Sequence, residues 1–73
     1  LALHGGKNGL SLVQPLIEQS HQFLTSNGML LIEIASDTKD RVLNLAQANP
    51  DLQDATILQD RFGDHRFLKA FRV

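Results

Sequence analysis

A chain of 73 residues holds at most one small domain, one that buries only about 60% of the surface its unfolded form exposes. With no cysteine there is no disulfide framework and no thiolate metal site, and His4, His21 and His65 lie at no ligand spacing. The net charge of −1 spreads basic residues through the chain, which argues against a nucleic-acid face, and the longest apolar run, Met29–Ile32, is far too short for a bilayer.

No basic stretch followed by an apolar run opens the chain, so no secretory leader is read. Three of the five glycines fall in His4-Gly5-Gly6-Lys7-Asn8-Gly9, which predicts that residues 1–9 form a loop of constrained shape. An intact small domain seldom begins on such a loop, and the first residue is not methionine. The chain is therefore expected to continue from an upstream element.

From Leu10 to Leu24 the apolar residues Leu10, Val13, Leu16, Ile17, Phe23 and Leu24 follow helical spacing. Pro15 sits easily only in a first turn, so the helix is expected to start near Ser11 or to kink. Asn27-Gly28 offers a left-handed stop. The nearly all-apolar stretch from Met29 to Ala35 predicts a strand covered on both faces, as in the middle of a parallel sheet.

Ser36 or Asp37 then caps a helix running to about Ala48, with Val42, Leu45 and Ala46 inward and Asn49-Pro50 as its stop. Ala55–Asp60 and Arg66–Val73 read as strands joined by a turn containing Gly63, hence an antiparallel hairpin. The expected order is loop, helix, strand, helix and hairpin, an α/β arrangement. A doubly covered strand needs neighbours that three strands and two helices do not supply.

Several residues carry candidate chemistry. Gly5-Gly6-x-x-Gly9 is neither a dinucleotide fingerprint nor a phosphate-binding loop, so shape is its first role and ligand contact its second. Glu33 lies inside the most apolar strand, where a carboxylate is costly unless paired; a supporting structural role is favoured over a functional acid. Asp60 and Arg66 flank Gly63 and are expected to fix the turn, with partner docking as a lesser role.

Asn49-Pro50-Asp51 lacks the second proline and the aromatic of an Asn-Pro-Pro-Tyr turn and reads as a helix stop. Phe62, Phe67 and Phe71 are read as hydrophobic packing. The serines have no His/acid arrangement for hydrolase chemistry.

Three stretches, in order, resemble one family. Ala2-Leu3-His4-Gly5-Gly6-Lys7-Asn8-Gly9-Leu10 is similar to the Ala-Leu-x-Gly-Gly-x-Asp-Gly-Leu segment of HemK-type release-factor glutamine methyltransferases. Phe23-Leu24 through Gly28, then Leu30-Leu31-Ile32-Glu33-Ile34, resembles their helix end and Leu-Leu-Glu-Ile strand. Asp60-Arg61-Phe62-Gly63-Asp64-His65-Arg66-Phe67-Leu68 resembles their closing Asp-x-x-Gly-x-x-Arg hairpin.

The resemblance implies an S-adenosylmethionine-dependent enzyme that methylates the glutamine amide of the Gly-Gly-Gln motif in peptide-chain release factors. It implies a seven-stranded Rossmann-like sheet with an antiparallel last strand next to the edge, of which residues 1–73 are the C-terminal part. The glycine-rich cofactor motif and the Asn-Pro-Pro-Tyr turn match nothing in this chain. Catalytic and cofactor-binding residues are thus expected upstream, leaving the chain inactive alone.

By the same resemblance Gly5, Gly6 and Asn8 shape a substrate-side loop, while Glu33, Asp60, Gly63 and Arg66 have supporting roles. The family often has Asp where Asn8 and His4 stand, and Pro15 is unexpected in its helix. Asn49-Pro50-Asp51-Leu52 and Arg66-Phe67-Leu68 look nearest to mitochondrial members, with the cytoplasm as the alternative location. The alternative functions are a non-enzymatic interaction module that binds a partner through its sheet edge, and a truncated product competing for release factor.

Overall fold

A computed structural model describes residues 2–4, 9–63 and 66–73. Four strands form one sheet: β1 (Ala2–His4), β2 (Met29–Ile34), β3 (Leu52–Gln59) and β4 (Arg66–Arg72), in the spatial order β1-β2-β4-β3. β1 runs parallel to β2, and β4 lies antiparallel to both β2 and β3. The connection between the parallel strands β1 and β2 is made by α1 (Gly9–Glu18) and α2 (Ser20–Phe23). α3 (Lys39–Ala48) links β2 to β3, behind a single 3-10 turn at Ser36–Thr38.

The fold is the expected α/β arrangement with one strand more than the sequence predicts. Residues 2–4, read as loop, form β1 because their hydrogen bonds come from β2, in the register Ala2 to Leu31 and His4 to Glu33. Residues 5–8, which include most of the predicted glycine loop, lie outside the described residues. α1 begins at Gly9, two residues before the expected start, and Pro15 lies inside it. Pro15 gives no N–H to the preceding turn, but its carbonyl accepts from the Gln19 amide at 2.9 Å, and α2 resumes one residue later.

α2 ends at Phe23, with Leu24 already extended, ahead of the predicted stop at Asn27-Gly28; in the turn that follows it is Asn27, not Gly28, that takes the left-handed conformation, at φ 64°. Gly28 is required for room: a Cβ there would stand 2.9 Å from the Thr25 carbonyl oxygen. Thr38 precedes α3 but does not cap it, since its hydroxyl donates back to the Ala35 carbonyl at 2.9 Å. Asn49 ends α3 and does more: its Nδ2 donates to the Ile17 carbonyl at 2.8 Å, while its Oδ1 accepts from the Asp51 amide at 2.8 Å. The helix stop thereby ties α1 to the start of β3.

The core lies on one face of the sheet. Val13 and Ile17 of α1 and Val42 and Ala46 of α3 pack with Leu30, Ile32, Ile34, Leu68 and Ala70 from the strands. Leu45 is only partly buried. β2 alternates rather than being covered on both sides: Leu30, Ile32 and Ile34 are buried, whereas Met29 is exposed and Leu31 and Glu33 are half-buried. Both long helices pack in this one cluster, so within these residues the second face has no layer above it. Phe67 and Phe71, expected to pack, are half-buried on that open face by their register with Glu33 and Met29.

β3 begins at Leu52, three residues before the predicted start. Gln53 pairs with Phe71 and Thr56 with Lys69, so two residues of β3 oppose the single Ala70. Asp54 takes φ 55° in this bulge, a conformation its short polar side chain tolerates. The bulge carries a polar stretch without strand-like alternation into a ladder, which is why periodicity missed it.

Ser20 is fully buried, and its Oγ has no hydrogen-bond partner among the described residues. Ser20→Ala is expected to raise stability by about 1 kcal/mol, because it removes a desolvated hydroxyl that is not repaid by a bond. Leu68→Ala should cost about 2–5 kcal/mol, most of what so small a core supplies. Urea unfolding followed by circular dichroism checks both, and a destabilised Ser20→Ala would contradict this account of the core.

A candidate site at the carboxyl end of the sheet

Because β4 returns antiparallel between two strands that run the same way, the β3–β4 turn must lie at their carboxyl ends. The register shows this: His4 is level with Glu33, Ile34 with Arg66, and Arg66 with Gln59. The 3-10 turn after β2 and the Asp60–Gly63 turn therefore start from one end of the sheet, the end at which β1 finishes. In open α/β sheets this is the end at which ligands bind.

Of the sequence-predicted site residues, Glu33, Asp60, Gly63 and Arg66 are brought to this end. Gly5, Gly6 and Asn8 lie outside the described residues. Glu33 and Arg66 share the end but not a face. Glu33 is level with Phe67 on the open side, while Arg66 is level with Ile34 on the helix side. Glu33 is half-buried and has a partner, so its place in an apolar strand does not strand a carboxylate in the core.

Asp60 fixes the turn chiefly through the backbone. Its Oδ1 accepts from the Phe62 amide at 3.0 Å, and its carbonyl accepts from the Gly63 amide at 3.1 Å. Gly63 takes φ 76°, and the Gln59 side-chain amide reaches its carbonyl at 3.4 Å. Arg66 is half-buried, and its Nε finds no hydrogen-bond partner among the described residues.

The sequence reading missed Arg61 and Phe62. Phe62 is 72% exposed, against its assignment to packing, and the Arg61 guanidinium stands 4.9 Å from its ring centre. The available signal was its place inside the turn, off the alternation of either strand.

Among the described residues no three histidines or carboxylates gather to hold a metal ion, and no helix is long and apolar enough to cross a membrane. His21 Nδ1 lies 3.4 Å from Asp51 Oδ2, but Asp51 precedes β3 at the other end of the sheet. An open groove of about 360 Å³ between α1 and α3 is lined by Gln14, Arg41, Asn44, Leu45 and Ala48. It offers no carboxylate for ribose hydroxyls and lies along α3 rather than at the strand ends, so it does not fit S-adenosylmethionine.

Gly63→Val should destabilise the hairpin by about 1–2 kcal/mol, since its Cβ would be 3.1 Å from the Gln59 side chain at a strained φ. Asp60→Ala should cost about 1 kcal/mol by releasing the Phe62 amide. Amide hydrogen exchange at Phe62 is the readout, and unchanged protection in Asp60→Ala would contradict the role given to its carboxylate.

No protein-family model matches the chain, and no solved structure matches it. Three curated proteins do, each named release factor glutamine methyltransferase. The one from Thermosynechococcus vestitus is 36% identical over 70 residues, covering 96% of this chain and 24% of the relative. Those from Synechocystis and Moorella thermoacetica are 37% and 35% identical, covering 96% and 99% of this chain and 23% and 25% of their own lengths. The chain is thus similar, along nearly its whole length, to about a quarter of each of these methyltransferases.

Proposed function

We propose that these residues are the closing part of a release-factor glutamine methyltransferase. The full enzyme would transfer a methyl group from S-adenosylmethionine to the glutamine amide of a Gly-Gly-Gln motif in a peptide-chain release factor. The observation that carries this reading is the similarity over 96–99% of the chain to three proteins of that name. The strand order β1-β2-β4-β3 supports it, being what the last four strands of a seven-stranded sheet would leave when the closing strand runs antiparallel one place in from the edge.

An amide nitrogen is a poor nucleophile, so such an enzyme works by positioning the acceptor and excluding water. In this reading Gly5, Gly6 and Asn8 shape a loop beside the acceptor glutamine. Glu33 supports the sheet floor near that loop, while Asp60, Gly63 and Arg66 hold the hairpin at the same end. Cofactor and catalytic residues belong to the three quarters of the relatives that this chain does not span, and residues 1–73 alone are inactive. A mitochondrial setting, with the cytoplasm as alternative, is proposed from the likeness of residues 49–52 and 66–68 to mitochondrial members.

The test is a graft of residues 1–73 in place of the matched quarter of the Thermosynechococcus vestitus relative, assayed for radiolabelled methyl incorporation into release factor. Methylation is expected, with a loss of about 10- to 100-fold in Gly5→Val and a smaller loss in Glu33→Ala. A folded graft that transfers no methyl group overturns the reading, and unchanged transfer in both variants removes those residue roles. The 73-residue chain alone should show no saturable S-adenosylmethionine binding by calorimetry; saturable binding would place cofactor residues within it.

A further inference from the structure

Phe62 has the greatest exposure of any large apolar side chain among the described residues. The Arg61 guanidinium lies over its ring at 4.9 Å. The two stand on a turn held from three directions. Asp60 Oδ1 takes the Phe62 amide, the Asp60 carbonyl takes the Gly63 amide, and Gly63 supplies the left-handed step. Presenting a phenylalanine to water on a shaped turn gives the folded chain nothing in packing.

We propose that Arg61 and Phe62 are the contact through which the protein substrate of the reading above is gripped, an inference that rests on that reading. Three observations converge on it. The turn springs from the carboxyl end of the sheet, the end at which β1 and β2 also finish and at which ligands bind in open α/β sheets. An arginine stacked on an aromatic ring is the composition that carries binding energy at protein interfaces. The turn hydrogen bonds order the tip beforehand, which lowers the entropy lost on docking.

The partner is a folded protein with an apolar socket for the Phe62 ring and a carboxylate or carbonyl at its rim for Arg61. A stacked nucleic-acid base is the lesser fit. The chain has eight acidic against seven basic residues, a net charge of −1 that gives little attraction to a phosphate backbone.

The experiment uses the same graft, with binding of fluorescently labelled release factor measured by anisotropy alongside methyl transfer. Phe62→Ala is expected to weaken binding by about tenfold or more, and Arg61→Ala by about threefold. Phe62→Tyr should bind within about twofold of the parent, because it keeps the ring. Equal melting temperatures for the three variants show that the hairpin is intact.

Binding within about twofold of the parent in both alanine variants overturns the contact, as does a parent graft that binds no release factor. Release factor displaced by a single-stranded RNA oligonucleotide, with that competition lost in Phe62→Ala, overturns it in favour of base stacking. A parent graft that binds release factor through Phe62 but transfers no methyl group overturns the enzymatic reading and leaves the contact standing.

Discussion

Leu68 is fully buried in β4, level with Ile32 of β2 on one side and with Ile57 of β3 on the other. The last strand of the chain is thus an inner strand of the sheet, and the two strands beside it have no other bond to one another. β2 and β3 run the same way, and β4, inserted between them in the opposite sense, carries the ladder across. Every larger feature follows from that insertion.

The residues at the end of β4 then close the opposite end of the molecule. The Arg72 amide donates to the Gly28 carbonyl and its carbonyl accepts from the Asn27 amide, both at 2.8 Å. Its guanidinium reaches the Leu24 carbonyl at 2.8 Å, where the α2 chain has turned extended. The Val73 amide donates to the Asp51 carbonyl at 2.9 Å, and the Ser26 hydroxyl to the Val73 carbonyl at 3.2 Å. The turn before β2 and the link before β3 are bonded to the same two residues. With Asn49 joining α3 to α1 nearby, this end of the sheet is closed by the fold itself.

The carboxyl end of the sheet carries the β3–β4 turn. The hairpin must turn there, and the register puts Glu33 and Arg66 on opposite faces. The helices occupy one face, leaving Phe67, Phe71 and Leu31 half-buried on the second. Asp60 and Gly63 shape the turn at these strand ends through backbone hydrogen bonds.

Local chemistry alone determined much of this chain. Helical spacing placed Val13, Ile17, Val42 and Ala46 inward, Asn49-Pro50 marked the end of α3, and Gly63 marked the hairpin, because each depends on neighbours within a few residues. The resemblance in three stretches also pointed to the relatives that the chain matches. Tertiary pairing decided the rest. β1 exists because β2 supplies its bonds, and β3 begins early because the left-handed Asp54 lets a bulge rejoin the ladder. Which face of β2 is covered depends on where α1 and α3 pack. Whether a turn phenylalanine is buried depends on what the fold brings over it, and Phe62, with Arg61 over its ring, stays 72% exposed. Sequence periodicity records which residues avoid water, whereas the layers that shelter them are chosen by contacts distant in the chain.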